Sequence, residues 1–423
     1  MAVGEYYDDS ETMSLEERTE LQNKKLKQTV NYAYEHSAAA KKLLDGAGIK
    51  PSDIKEVADL QKLPVTRKND IIEMQAKNPP YGGLLAIPPE DIERVFISPG
   101  PVYEPLHSSS IEWFARSFWA AGFRKGDVVA NTFTYHLSPA GMLFHEAIRS
   151  CGATVVPVGT GRTEIQVKTM LDLKVSGFVG TPSFLMTVIK KAEEMGYDFK
   201  KDLRVKKAWF TGEPLFPGLR RTFEEEYGID TTMAYAVTEP GGALAFECHH
   251  KNGLHLMDEY IIEIIDPETG KQLKAGEIGE ITVTPVHNKS WGLIRFGTGD
   301  LSALNLEACP CGRTSPRLKG IMGRSGDAVK VRGIFVVPGQ VKAVINAFPQ
   351  VGRFQIAVNR KAQRDEMIFY LELTDEKADR EALKNNISES FQGVCVVRPD
   401  RFEFVSKGTI AEDAKVIEDR RQW

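Results

Sequence analysis

The chain has 423 residues, 42% of them hydrophobic and 26% charged, which suits two or more soluble domains and excludes a disordered chain. Its 54 basic and 58 acidic residues nearly balance, giving no electrostatic reason to expect nucleic acid or an anionic membrane as partner. The acidic opening MAVGEYYDDSETMSLEER is not expected to be a signal peptide, no run of about 18 apolar residues would span a bilayer, and five thinly spread cysteines suggest reduced thiols in a cytoplasm, free or metal-bound.

In chain order, residues 15 to 45 predict a helix that stops at GAG. From about 110 to 230 helical and strand patterns alternate. SIEWFARSFWAAGF, SPAGMLFHEAIRSCG, TEIQVKTMLDLK and SFLMTVIKKAEEMG have helical spacing, while DVVANTF, ATVVPV, GFVGTP and KAWFTG are strand-like. That order implies right-handed crossovers and a mainly parallel sheet covered on both faces. From about 255 to 305 the short strands EYIIEIID and GEIGEITVTPV predict a smaller antiparallel or barrel-like part. Beyond Gly323, VPGQVKAVINAF and DREALKNNISESF read as helices, and RFQIAVNR, EMIFYLEL and VRPDRFEFV as strands, enough for a separate α+β domain. There is no internal repeat.

Seven stretches then stand in a telling order: ARSFWAAGFRKGDVV, GTGRTEIQV, TGEPL, AYAVTEPGG, IRFGTGD, CPCGRTSPRLKGIMGRSGD and VRGIFVVPGQV. From LPVTRKNDI at residue 63 to the C-terminus the chain resembles phenylacetate–CoA ligase-type members of the adenylate-forming (acyl-CoA synthetase) superfamily. The resemblance implies an α/β core domain over 1–322, a hinge at 323–327 and a small α+β lid over 328–423. It implies an AMP-forming acid–CoA ligase, with a small carboxylic acid, a nucleotide and CoA as partners, no nucleic acid or membrane, and a homodimer left open.

Site residues follow motif by motif. Asp300 in TGD would accept both hydroxyls of a ribose, Tyr235 would stack on adenine, Thr238 would donate to a phosphate, and Glu239 would hold magnesium through a hard oxygen. Gly212, Glu213 and Pro214 would form the turn lining the adenine and acyl pocket. Arg324 would reach nucleotide oxygens, with an interdomain salt bridge as the competing role. Phe133, Tyr135 and His136 in FTYHLSPAG would wall a flat, partly polar pocket for an aromatic acid, unless they are simply core residues after a strand. Cys248, His255, Cys309 and Cys311 have the spacing of a closed, structural zinc site, with His249 and His250 as substitutes for His255 and free thiols as the plainer reading. Cys151 and Cys395 read as buried small hydrophobes.

Three places depart from the family pattern. The phosphate loop reads SPGPVYEP: Ser98, Gly100 and Pro105 stand where expected, but Pro99 and Pro101 remove N–H donors and Glu104 takes the lysine's position. A reversed unit charge at roughly 4 Å is worth about 4 kcal/mol at an effective dielectric near 20, so ATP dependence is in question. The hinge reads GRSGD, with Gly326 for an aspartate, and the shortened segment GTIAEDAKVIEDRR leaves only Lys415 for a catalytic lysine. The alternative function is therefore a ligase-fold protein that binds AMP, acyl-adenylate or acyl-CoA without ATP chemistry, or that uses another activated substrate.

Overall fold

The computed structural model describes residues 5–98, 102–106, 112–332, 334–361, 364–375 and 377–421. Among them a nine-stranded sheet forms the centre. Thr154–Val156, Val128–Asn131, Gly177–Gly180, Lys207–Phe210 and Asp230–Val237 lie side by side and parallel. The sheet then continues antiparallel through Gly242–Glu247, Leu254–Leu256, Arg317–Leu318 and Leu304–Asn305. Because successive side chains on a strand point to opposite faces, each apolar run feeds two cores. Val129, Val179 and Trp209 enter the core built on Phe114, Phe118 and Phe144. Their neighbours Ala130, Phe178 and Phe210 enter the other, with Val188, Ile189 and Phe223. The helices Ala140–Ser150, Thr163–Asp172 and Pro182–Glu194 supply the crossovers.

The expected antiparallel part is a second sheet, in which Tyr260–Ile265, Gly279–Pro285 and Phe296–Ser302 pair in turn. Thr66–Arg67 joins Phe296–Ser302 on its free edge, and Gly323–Arg324 pairs Asp300 and Leu301. C-terminal to this lies a four-stranded sheet ordered Arg401–Val405, Arg364–Leu373, Val351–Lys361 and Ile417–Asp419. It packs with Pro338–Ile345 and Arg380–Cys395 around its own core, which runs from Val329 to Ile417.

Two features were not anticipated. The helix expected over 15 to 45 is two helices, Leu15–His36 and Ala38–Gly46, because the Ser37 side chain caps the second by accepting from Ala40 N–H. The residues before it form a strap: the Tyr6 hydroxyl donates to the Cys311 carbonyl at 2.8 Å, Thr314 N–H donates to the Glu11 carbonyl at 3.0 Å, and buried Glu11 pairs with buried Arg313. Arg18, also buried, pairs with Asp258.

Candidate functional site

The central strand Asp230–Val237 carries Tyr235 to the edge of the second sheet. There its hydroxyl donates to Asp300 Oδ2 at 2.8 Å. Arg324 Nη1 donates to the other oxygen, Oδ1, also at 2.8 Å, across the register pair that the two residues form. The glycine of TGD makes room for this: Gly299 sits at φ +74°, and a Cβ there would lie 2.9 Å from the Arg324 guanidinium. Tyr235 is packed in the main core, so its hydroxyl, not an open ring face, reaches the site. Burial, and then the Asp300 charge, push its pKa well above the usual tyrosine value, which keeps the hydroxyl a neutral donor.

The same strand runs on into Thr238 and Glu239, and here the loop region takes shape. Arg94–Ser98 and Val102–Leu106 form an antiparallel hairpin with Ser98 opposite Val102 and Phe96 opposite Glu104. Pro99, Gly100 and Pro101 at its tip lie outside the described residues. Phe96, Ser98, Val102 and Glu104 point inward and are buried, whereas Val95 and Tyr103 are exposed. Gln75, from the helix Lys68–Lys77, grips the second strand by donating to the Tyr103 carbonyl at 2.8 Å and accepting from its N–H at 2.9 Å.

Glu104 thus faces inward onto a cavity of about 20 Å³ lined also by Thr238, Glu239 and Asn288. Burial and then the charge of Glu239 push its pKa up to about 8, with Ser98 and Lys68 pulling the other way. Ser98 Oγ lies close enough to favour the Glu104 carboxylate, but not in hydrogen-bond geometry: neither it nor either Glu104 oxygen has a hydrogen-bond partner among the described residues. Lys68 Nζ, 2.7 Å from Glu239 Oε1, supplies a positive charge that the motif reading left unassigned. It stands in LPVTRKNDI, where the family likeness begins, and that was the available signal.

The acyl region follows the strand Val128–Asn131. Phe133 packs against Phe144 with ring centroids 5.0 Å apart. The Tyr135 hydroxyl accepts from Asn131 Nδ2 at 2.9 Å and lies 3.1 Å from His145 Nδ1, so Asn131 and His145 belong to this wall although motif reading passed over them. Gly212 turns the chain at φ +88°, and a Cβ there would come within 3.9 Å of the Phe133 ring. Glu213 Oε1 accepts the Ser183 N–H at the start of the helix Pro182–Glu194. His136 and Pro214 are exposed, so His136 stands at the rim and not within the wall.

Cys248, His255, Cys309 and Cys311 converge, all four buried, with their ligand atoms within 4.8 Å of one another. Cys248 Sγ is 3.7 Å from Cys309 Sγ, and Cys311 Sγ is 3.4 Å from His255 Nε2. A tetrahedral zinc ion with bonds of about 2.3 Å to sulfur separates its ligands by about 3.8 Å, so the donor set and its spacing fit that ion. His255 Nδ1 faces the Ser315 carbonyl and hydroxyl at 3.3 Å each, which aims Nε2 at the cluster. The hydrogen bond from Cys248, and then His255, pull the Cys311 thiol down, while the same hydrogen bond and burial push the Cys248 thiol up. Cys151 and Cys395 are buried apart from the cluster, their thiols pushed up to about 12 by burial. They are not nucleophiles near neutral pH.

Comparison with known proteins matches residues 106–287 to the AMP-binding enzyme family and 333–421 to the AMP-binding enzyme C-terminal domain. Phenylacetate-coenzyme A ligase of Thermus thermophilus is 32% identical over 400 residues, spanning 91% of this chain and 88% of that protein. The Escherichia coli phenylacetate-coenzyme A ligase is 31% identical over 87% of the chain and 85% of its own. The chain belongs to the phenylacetate–CoA ligase family. As a member of this family of AMP-forming acid–CoA ligases, it has both the large AMP-binding part and the C-terminal domain. An open conformation of 2-hydroxyisobutyryl-CoA ligase, solved with 2-HIB-AMP and CoA, superposes with a TM-score of 0.89 at 26% identity over 99% of this chain and 95% of that one. The same neighbour in its thioesterification state gives 0.73. Among the described residues of this phenylacetate–CoA ligase relative, no helix is long and apolar enough to cross a membrane.

Proposed function

We propose that the acid activated by this ligase is an aryl or related carboxylate. A carboxylate oxygen attacks the α-phosphorus of ATP and pyrophosphate leaves; the CoA sulfur then attacks the acyl carbon and AMP leaves. The observation that carries this reading is that one strand end, Tyr235 to Glu239, joins the Asp300 carboxylate to the Glu104–Glu239 cavity. A ribose diol fits the first, and the second, too small for a phosphate group itself, adjoins the phosphate end. Asp300 accepts the ribose hydroxyls, with Tyr235 and Arg324 orienting it; Gly212, Glu213 and Pro214 border the adenine and acyl groups; Thr238 and Ser98 offer hydroxyls to phosphate. Glu239, buried and already drawing a cation in Lys68, fits a magnesium ion, which would neutralise phosphate charge when bound. Phe133 and Tyr135 wall the acyl group, with exposed His136 at the rim.

Cys248, His255, Cys309 and Cys311 hold zinc in a structural role, since all four positions of a tetrahedron are protein atoms. Five unpaired cysteines suit the reducing cytoplasm. The chain turns between its two bodies at residues 323–327, a reading supported by the drop in superposition between two states of one neighbour. A second reading, a protein that holds AMP or acyl-adenylate without ATP chemistry, is favoured only by the Glu104 carboxylate at the phosphate end. The deciding experiment pairs two measurements. ATP-dependent pyrophosphate exchange should appear with phenylacetate, and phenylacetate or its CoA ester should raise Tm in the wild type but not in Tyr135→Ala. Equal protection by straight-chain acids refutes the aryl preference, and absence of exchange with any acid favours the second reading.

A further inference from the structure

The hairpin turns inward a buried carboxyl group, Glu104, that has no partner among the described residues. Two carboxyl groups, Glu104 and Glu239, line one cavity, and among the described residues a single ammonium, Lys68, pairs with one of them. Glu104 is 7% exposed and Ser98 2%, and among the described residues their three side-chain oxygens have no hydrogen-bond partner. A buried carboxylate in this condition is costly, so the group either takes up a proton or binds a cation that displaces it. The cavity of about 20 Å³ admits one water molecule or one small ion, not a phosphate group.

Taking the cavity as the phosphate end of a nucleotide site, which rests on the function proposed above, we propose that Glu104 is a metal ligand. Together with Glu239 and the Ser98 hydroxyl it holds a hard divalent cation of the magnesium class. All three donors are oxygens, which selects magnesium or manganese over softer ions. Three protein donors leave positions for water and for phosphate oxygens, the usual arrangement for magnesium at a nucleotide. The ion competes with Lys68 for Glu239 and turns an acidic hairpin into one that attracts polyphosphate. On this view Glu104 prepares the cation site before any nucleotide arrives.

The test titrates Mn²⁺ into the zinc-saturated, nucleotide-free full chain and follows free ion by electron paramagnetic resonance. Wild type should bind one Mn²⁺; Glu104→Gln should weaken it about ten-fold or more, and Glu104→Asp, which keeps a carboxylate, only a few-fold. Lys68→Met should tighten binding by freeing Glu239, and the few-fold loss in Glu104→Asp still tests Glu104 if Glu104→Gln fails to fold. Equal affinity in wild type and Glu104→Gln, no Mn²⁺ bound by wild type, or unchanged affinity in Lys68→Met overturns the proposal. Thioester formation from phenylacetate is measured on the same samples. Turnover with Mn²⁺ affinity indifferent to Glu104 overturns this inference alone; Glu104-dependent Mn²⁺ binding in a protein that makes no thioester overturns the function reading alone.

Discussion

Asp300 is held from two sides, by a neutral tyrosine hydroxyl and by a guanidinium, so its carboxylate is oriented before a ligand reaches it. Asp300→Ala should therefore weaken AMP and ATP alike, by about a hundred-fold or more for two lost charge-assisted hydrogen bonds, as read by isothermal titration. A loss confined to ATP would assign Asp300 to the phosphates. His287 makes a different residue-scale prediction. Its ring stands against Trp113 and Tyr260, with centroids 4.9 Å from each, and burial pushes its pKa down to about 4. The folded state binds fewer protons there than the unfolded chain, so the stabilisation is complete above about pH 6.5 and is lost as pH falls through 4. Because the ring keeps some solvent contact, roughly 1–2 kcal/mol is expected, less than the full shift implies. Denaturant titrations of His287→Gln should be flatter than wild type across that window; parallel curves would remove His287 from the account.

At the scale of elements, the 94–106 hairpin shows why some parts were legible and others not. The alternating strands and helices after residue 110 could be read because their buried positions hold Val, Phe, Trp and Ala, so periodicity and burial agree. In the hairpin two of four inward positions are Ser98 and Glu104, while Val95 and Tyr103 face solvent. Hydrophobic alternation therefore points away from a strand pair, and only the outline of a phosphate loop stood out. Nor could spacing find Lys68, whose partner Glu239 comes from a distant part of the chain, or Asn131 and His145, which meet Tyr135 only through a strand turn and a helix. The cysteine–histidine set was legible because its ligand types are rare and its short spacings are local. Gln75 offers the test of the hairpin as a unit. Gln75→Ala removes two hydrogen bonds to Tyr103, so it should cost about 1–3 kcal/mol and speed amide exchange over residues 102–106. Unchanged exchange there would mean the hairpin is held by its inward face alone.

For the whole molecule, among the described residues, the core that begins at Val329 shares no buried cluster with those before it. Limited proteolysis should cut first within residues 323–327 and release two resistant fragments, and acyl-adenylate with CoA should slow the cut; uniform resistance along the chain would speak against a moving lid. Metal analysis should find about one zinc per chain, and Cys309→Ser should lose it together with stability. Because residues 6 to 14 dock on the 311–314 segment, that variant should also loosen the strap, seen as faster amide exchange over residues 6 to 14. The strap carries a consequence for how the protein is made. Tyr6 and Glu11 bond to residues 305 and 302 positions downstream. At about 5–20 residues per second a ribosome needs roughly 15–60 s to deliver those partners. Through that interval residues 6 to 14, acidic and tyrosine-bearing, have nowhere to dock until the cysteine-bearing segment at 309–314 has been translated.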